Sequence, residues 1–426
     1  MRFSRGWILG AAGVVLGCGL FGVAACKSDA ADGDVVSRGP VPEQFFGMHF
    51  HRAASTTRWP EGVGIASWRL WDAYTAWFKL ETGRDQWTWT ILDKSVAVAQ
   101  QQNVELLLTL GLTPAYASAR PQEKSSYGDQ GQAAEPASID DWTRYVRTVV
   151  GKYQKPIRYY EIWNEPDLKG FYTGTPQKMA ELTKAACKEI RAIDPDIKIV
   201  SPSPTSGPWG FKWFKNYLDA MGPQPCFDIV GWHFYTMEST PEKVVSLAAE
   251  LKSLLRSYKL EKMPIWNTEA GYYIENITGP KVLGTVPAHK LTLDQGQAQA
   301  FYARAMLLSW SSGIDRYYWY SWDSNIMGTL DFDTGRPKPM ATAIATTAKW
   351  MKGAVIDRCT QTDGYWSCEV KRDGQTQYAV WVEQGTQLKE LPSTWKFAQI
   401  TDLDGRTQPL RTHKIELSIA PVLLTP

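Results

Sequence analysis

An excess of charge of either sign is missing from this sequence. Its 426 residues hold 46 Lys and Arg against 44 Asp and Glu. The surplus is Arg2 and Arg5, so beyond residue 26 the two signs balance at 44 each. A balanced chain has no electrostatic footprint for nucleic acid or for an anionic membrane surface, and neither is expected as a partner. Histidine is scarce, at five residues, and no His-Glu-x-x-His segment occurs. Cysteine is scarce too, at six, and none sits in a Cys-x2-Cys pair. Both absences argue against a zinc site, and no metal or other cofactor is expected. Sequence repeats beyond an alternation of short and long apolar segments are also missing.

The one long uncharged run, Trp7–Ala25, follows the basic Arg2 and Arg5 and ends in Val23-Ala24-Ala25-Cys26. A basic start, a short apolar run and small residues before a cleavage point describe an export signal. The segment resembles a bacterial lipobox, which implies acylation at Cys26. Cys18 is a weaker competitor, and an uncleaved anchor is the other reading. Residues 1–26 are therefore expected to be a lipoprotein signal and 27–42 a flexible tether, polar and Pro/Gly-containing. The expected location is the cell envelope, with the membrane touched only through this N-terminal lipid anchor. Gly17-Cys18-Gly19-Leu20-Phe21-Gly22 spells a dinucleotide fingerprint, but no strand precedes it, so it carries no such reading. An exported chain meets an oxidising compartment, and the remaining Cys187, Cys226, Cys359 and Cys368 are even in number. Cys359–Cys368 closes a short hairpin-like loop, and Cys187–Cys226 follows by elimination.

Eight strand-like runs occupy residues 43–352: Phe45–Phe50, Ile65–Trp71, Val104–Leu110, Arg158–Trp163, Ile197–Ser201, Phe227–His233, Pro264–Thr268 and Arg316–Ser321. Helical patterns lie between most of them, at Ile139–Tyr153, Gln177–Ile193, Pro241–Tyr258, Gln295–Ser312 and Met340–Met351. This alternation predicts an α/β fold, a (β/α)8 TIM barrel. The first connection, Arg52–Gly64, is too short for a full helix. Residues 353–426 read as short β-like runs with turns at Asp373-Gly374 and Asp404-Gly405, a small antiparallel β-sandwich serving as a structural accessory. Nothing in the sequence reports an oligomeric state.

Two segments carry the chemistry. Tyr159-Tyr160-Glu161-Ile162-Trp163-Asn164-Glu165-Pro166-Asp167 ends strand four in an acid, and Pro264-Ile265-Trp266-Asn267-Thr268-Glu269-Ala270-Gly271 ends strand seven in another. The C-terminal strand ends of a barrel line its active site. Two carboxyls from different strands facing one cleft can be held in opposite protonation states by their surroundings. Glu-Ile-Trp-Asn-Glu-Pro-Asp resembles the strand-four signature of clan A retaining glycosidases and is most similar to glycoside hydrolase family 39, which includes β-xylosidases, α-iduronidases and bacterial exopolysaccharide hydrolases. Trp-Asn-Thr-Glu-Ala-Gly resembles the strand-seven nucleophile segment of the same clan. The resemblance covers roughly residues 43–352.

That resemblance implies an O-glycosidase with Glu165 as acid/base and Glu269 as nucleophile, acting on a polysaccharide or oligosaccharide. It gives Asn164 to the sugar 2-hydroxyl, and His233 or Tyr235 to holding the acid or the nucleophile. It has Arg69, inward on strand two with Trp71, keep Glu269 ionised, and it makes Trp322 a sugar platform. Twenty tryptophans and 19 tyrosines supply flat faces suited to sugar rings, or simply a ring-rich core. Glu161 shares the strand face of Glu165 but sits deeper and is expected in a buried ion pair. His49 and His51, two apart on strand one, are expected to bond sugar or serve structure rather than begin a metal site. Asp167 and Asp323 either cap turns or touch substrate. Trp163 and Trp266 are expected to fill core. Tethering at the envelope points to an exported polysaccharide cut mid-chain. The rival readings are a catalytically silent polysaccharide-binding lipoprotein and a non-enzymatic envelope scaffold.

Overall fold

The computed structural model describes residues 38–128, 130–281 and 286–426; the signal segment and Cys26 lie outside them. Eight strands form one parallel sheet: β1 Phe46–His49, β2 Ser67–Leu70, β3 Glu105–Leu110, β4 Tyr159–Ile162, β5 Lys198–Val200, β6 Val230–Trp232, β7 Ile265–Ala270 and β8 Arg316–Trp319. Every consecutive pair except β5 and β6 forms a ladder, and β8 pairs with β1. Parallel bridges Val200↔Ile229 and Thr205↔His233 join β5 to β6 and close the ring. The interior at its N-terminal end is filled by Leu107, Val200, Ile229, Trp266 and Tyr318, so it is a packed core and not a pore.

Among the described residues seven helices of twelve residues or more run outside the ring: α1 Thr90–Gln101, α2 Ile139–Tyr153, α3 Pro176–Ile193, α4 Pro208–Met221, α5 Lys243–Ser257, α6 Gln295–Ser311 and α7 Met340–Met351. Helix α2 shows why such segments fold this way. Ser138 caps its first turn by accepting from the Asp140 amide. Trp142, Tyr145, Val146, Val149 and Tyr153 then recur at helical spacing and bury one face. No helix links β1 to β2, as the short connection required. Helices α1 and α4 escaped the periodicity. Buried positions in α1 include Ser95 and Ala99, and α4 opens on Gly207-Pro208-Trp209-Gly210, which reads as a loop although proline is at home in a first helical turn.

Past α7 the chain builds β9 Cys359–Thr362, β10 Tyr365–Arg372, β11 Gln375–Trp381, β12 Thr386–Glu390, β13 Gln399–Thr401, β14 Thr407–Pro409, β15 Lys414–Ser418 and β16 Val422–Thr425. Six form an antiparallel sheet in the order β9-β10-β11-β16-β13-β14, and β12 pairs with β15. Asp363-Gly364 and Asp373-Gly374 each take two positive φ angles, the backbone a tight hairpin turn needs. The sheet begins at Cys359, not at Ala354, because residues Ala354 and Ile356 are buried against the barrel. Disulfides join Cys187 of α3 to Cys226 and Cys359 to Cys368 across the β9–β10 pair.

The sandwich and barrel share one core, to which Cys368, Val370, Ala379, Trp381 and Leu423 contribute. Helix α6 lies between them and is buried on nearly all sides from Ala298 to Trp310, with Arg304 among its buried residues. At this junction the Glu242 carboxylate accepts from Arg304 Nε at 2.7 Å and Trp381 Nε1 at 2.8 Å. Residues 38–42, placed in the tether by composition, are also held by the barrel. Arg38 stacks 4.1 Å from the Trp310 ring centre, and the Val41 amide donates to the Ala354 carbonyl at 2.9 Å.

Candidate active site

Strand β4 ends at Ile162, and the next residues leave its period. Trp163 and Glu165 both take left-handed backbone, at φ 67° and 41°. Such conformations cost about 1–3 kcal/mol each and gather at functional sites. Here they lift the Glu165 carboxyl above Glu161, while the Glu165 amide bonds the Ser203 carbonyl at 2.9 Å. Strand β7 delivers Glu269 to the same place. Gly271 follows because a Cβ there would lie 2.0 Å from the Tyr320 carbonyl oxygen. The two glutamates, each under a tenth exposed, line one cavity of about 880 Å³ with Thr205, Tyr235 and Lys290. Oxygens of Glu165 and Glu269 and a ring nitrogen of His233 all lie within 4.8 Å of one another. Among the described residues this is the one trio whose donor atoms stand close enough to share a metal ion.

Arg69 organises the floor. Its Nε donates to Glu161 at 2.7 Å, Nη1 to Glu269 at 2.8 Å and Nη2 to Asn164 Oδ1 at 2.7 Å. A planar fork of five N–H groups can do this; a single ammonium cannot. Thr109 and Ser203 hydroxyls complete Glu161 at 2.6 Å each, so that carboxylate is saturated in a buried ion pair and takes no part at the cleft. Because its oxygen is pinned by Arg69, Asn164 presents its Nδ2 amide hydrogens with no partner among the described residues. Tyr235 donates to Glu269 at 2.8 Å, and His233 Nδ1 meets Glu165 at 3.0 Å, so each acid has its own positioning residue.

Burial controls the ionisation of the pair. It pushes Glu165 up to about 8, helped by the charge of Asp167. Glu269 is also pushed up by burial, to about 7, with the charge of Glu165 adding to the rise. Arg69 pulls Glu269 down, but by less than burial raises it. The charge of Arg69 thus acts on Glu269 in the expected direction, towards ionisation, but desolvation outweighs it. Burial likewise lowers His233 to about 4, so its ring is neutral near pH 7.

Other residues named from sequence take more varied places. His49 Nε2 donates to the Thr268 carbonyl at 2.9 Å, which fixes its tautomer and ties β1 to β7. His51 packs on Tyr320 with ring centres 5.0 Å apart, and its Nε2 has no partner. Asp323 caps the loop after β1, accepting from the His51 and Arg52 amides and the Thr57 hydroxyl. Asp167 does the same for Thr205. Trp163 and Trp266 are core. Trp71 is buried, with its ring centre 5.7 Å from the Arg69 guanidinium. Trp322 is not the platform expected of it. It is 2% exposed, packs on Phe50 and edges a separate cavity beside Trp59.

Three residues escaped the sequence reading. Asp72, at the end of β2, accepts from the hydroxyls of Tyr127 at 2.6 Å and Tyr320 at 2.7 Å. The rule that strand ends line the mouth could have suggested Asp72 and Tyr320. Tyr127 stands in the long loop after β3, where no motif marks it.

With this geometry in place, comparison with known proteins can be read. A family model described as a glycosyl hydrolase catalytic core matches residues 133–334. A β-xylosidase of Caldicellulosiruptor saccharolyticus is 27% identical over 190 residues, 39% of this chain and 38% of that one. The chain thus matches well under half the length of that relative. A family 39 glycoside hydrolase structure from Bacteroides cellulosilyticus WH2 superposes with a TM-score of 0.70 at 20% identity, over 90% of this chain and 81% of that one. A family 39 β-xylosidase structure from Caulobacter crescentus gives 0.63 at 16% identity, over 92% and 98%. The fold is that of these enzymes, and the resemblance to clan A glycoside hydrolases read from the two acid segments is borne out.

Proposed function

We propose that this protein is a retaining glycoside hydrolase in which Glu269 is the nucleophile and Glu165 the general acid/base. One observation carries the reading: two buried glutamates from β4 and β7 bring carboxyl oxygens within 4.8 Å of each other in a single cavity. Retaining enzymes hold their carboxyls about 5–5.5 Å apart, whereas inverting ones need roughly 6.5–9.5 Å to admit water between them. Glu269 attacks the anomeric carbon as the bond to the leaving oxygen breaks, and Glu165 gives that oxygen its proton. Water then attacks the glycosyl ester, Glu165 takes its proton, and Glu269 leaves as carboxylate. The free amide of Asn164 supports a bond to the sugar 2-hydroxyl. The lipobox-like Cys26 and its signal segment support an envelope location, where an exported polysaccharide cut mid-chain is the natural substrate.

A family model of a catalytic core and a β-xylosidase relative make p-nitrophenyl β-xyloside and β-glucoside the first substrates to test. Proton NMR of the nascent sugar should show the anomeric configuration of the substrate; an inverted product would overturn Glu269 as nucleophile. The pH profile follows from the two acids. Glu269 must be ionised, so kcat/KM should rise with pH through about 7, and Glu165 must be protonated, so it should fall through about 8. These limbs belong to the coupled pair. In Glu165→Gln the alkaline limb should vanish on the nitrophenyl substrates, whose leaving group needs no proton. An optimum near pH 4 would contradict the burial argument.

A further inference from the structure

A second cavity takes no part in the chemistry above, and its Asp72 is near enough for its charge to act on both Glu165 and Glu269. It lies at the end of β2, holds about 260 Å³, and is lined by Trp71, Asp72, Tyr74, Phe78, Leu112 and Tyr127. Its wall is continuous with the catalytic floor. Trp71 is 5.7 Å from the guanidinium of Arg69, which bonds Glu269, and Asp72 joins Tyr127 of the cavity to Tyr320 of the barrel mouth. Both tyrosines are near enough to feel the charge of Glu269. On the catalytic side, Phe171 packs against Trp71 and Tyr127, and its amide bonds the carbonyl of Leu168, which lines the larger cavity. Ring contacts as far as Phe171 and one backbone bond to Leu168 thus link the linings of the two cavities.

The lining suits a sugar ring. Flat ring faces match its C–H faces, and a carboxylate offers about four acceptor positions, of which the two tyrosine hydroxyls take two. The volume exceeds the roughly 150 Å³ in which an apolar cavity takes up a benzene ring. Asp72 and Tyr74 hold left-handed backbone at φ 57° and 60°, a costly conformation for such side chains, and Tyr74 stands 59% exposed at the rim. Among the described residues no hydrogen-bond, ion-pair or ring partner accounts for that placement of the Tyr74 ring.

We propose that this cavity is a second saccharide-binding position of the same site, holding a sugar next to the one whose bond is cleaved, with Tyr74 as its exposed platform. The substrate is then an oligosaccharide or polysaccharide rather than a simple glycoside. This rests on the glycosidase reading above, and the test separates the two. Wild type, Tyr74→Ala and Tyr74→Trp are assayed on the two nitrophenyl glycosides and on xylotetraose and cellotetraose. Tyr74→Ala should lower kcat/KM on the cleaved tetrasaccharide about tenfold more than on its monoglycoside, and Tyr74→Trp should restore the ratio. Equal losses on both, or a wild type that cleaves monoglycosides but neither tetrasaccharide, would overturn the second position and leave the catalytic reading intact. If nothing is hydrolysed, the catalytic reading falls, and titration of xylohexaose and cellohexaose into the full chain decides the position alone. Binding weakened about tenfold by Tyr74→Ala upholds it; absent or unchanged binding overturns it.

Discussion

Glu269→Gln is expected to lower kcat at least about 10⁴-fold, the order seen when a covalent nucleophile is removed. The amide cannot bond the anomeric carbon, yet it keeps the shape and most contacts of the carboxylate. Its oxygen can accept from Arg69 Nη1, and its NH2 can donate to the Tyr235 oxygen, so neither neighbour is stranded. Burial already disfavours charge at this position, and replacing it with a neutral amide adds no desolvation cost. The fold should therefore survive, which a melting curve and circular dichroism would show. A Glu269→Gly variant gives the complementary test: added azide should enter the space left and yield a glycosyl azide of inverted configuration. A folded Glu269→Gln protein with wild-type kcat would remove the nucleophile assignment at once.

Arg69→Met should be the most destabilising single change at the site, at about 3–5 kcal/mol, because it strands buried charge. Arg69 is fully buried and meets Glu161, Glu269 and Asn164 together. Without it Glu161 keeps only its hydroxyl partners, Thr109 and Ser203. Arg69→Lys should fail to rescue, since one ammonium cannot span three acceptors. The double variant Arg69→Met/Glu161→Gln should recover part of the loss by removing one uncompensated charge. Denaturant unfolding of the four proteins would measure this; a cost under about 1 kcal/mol for Arg69→Met would show that packing, not the ion network, holds the barrel floor. Catalysis supplies a second reading. Arg69 pulls the Glu269 carboxyl down by its charge, so in a folded Arg69→Met variant the acidic limb should move above pH 7.

The parts legible in the sequence share a cause. Strands β1–β8 are short apolar runs bounded by breakers, and α2, α3, α5, α6 and α7 either repeat at 3.6 residues or form long apolar stretches, so local pattern exposed them. Glu165 and Glu269 each end such a run, and a barrel places all those ends on one rim. Cys359–Cys368 was readable because its ends are close along the chain. Elements such as α4, β12 and β14 were not, because short exposed strands and breaker-rich helix starts carry little pattern of their own.

What the sequence alone determined is the framework: eight strands with helices between most of them, a β-rich tail, and two acids carried to one mouth. Tertiary structure decided everything that depends on what lies beside a residue without being near it in the chain. It turned Trp322 into core and put Tyr320 at the mouth two residues earlier, because a strand's exit angle, not its composition, sets which ring faces the cleft. Asp72 was joined to Tyr127 and Tyr320 across 55 and 248 residues of chain. The same packing raised the Glu165 and Glu269 carboxyls above their ordinary range, since water is excluded only once the barrel has closed around them.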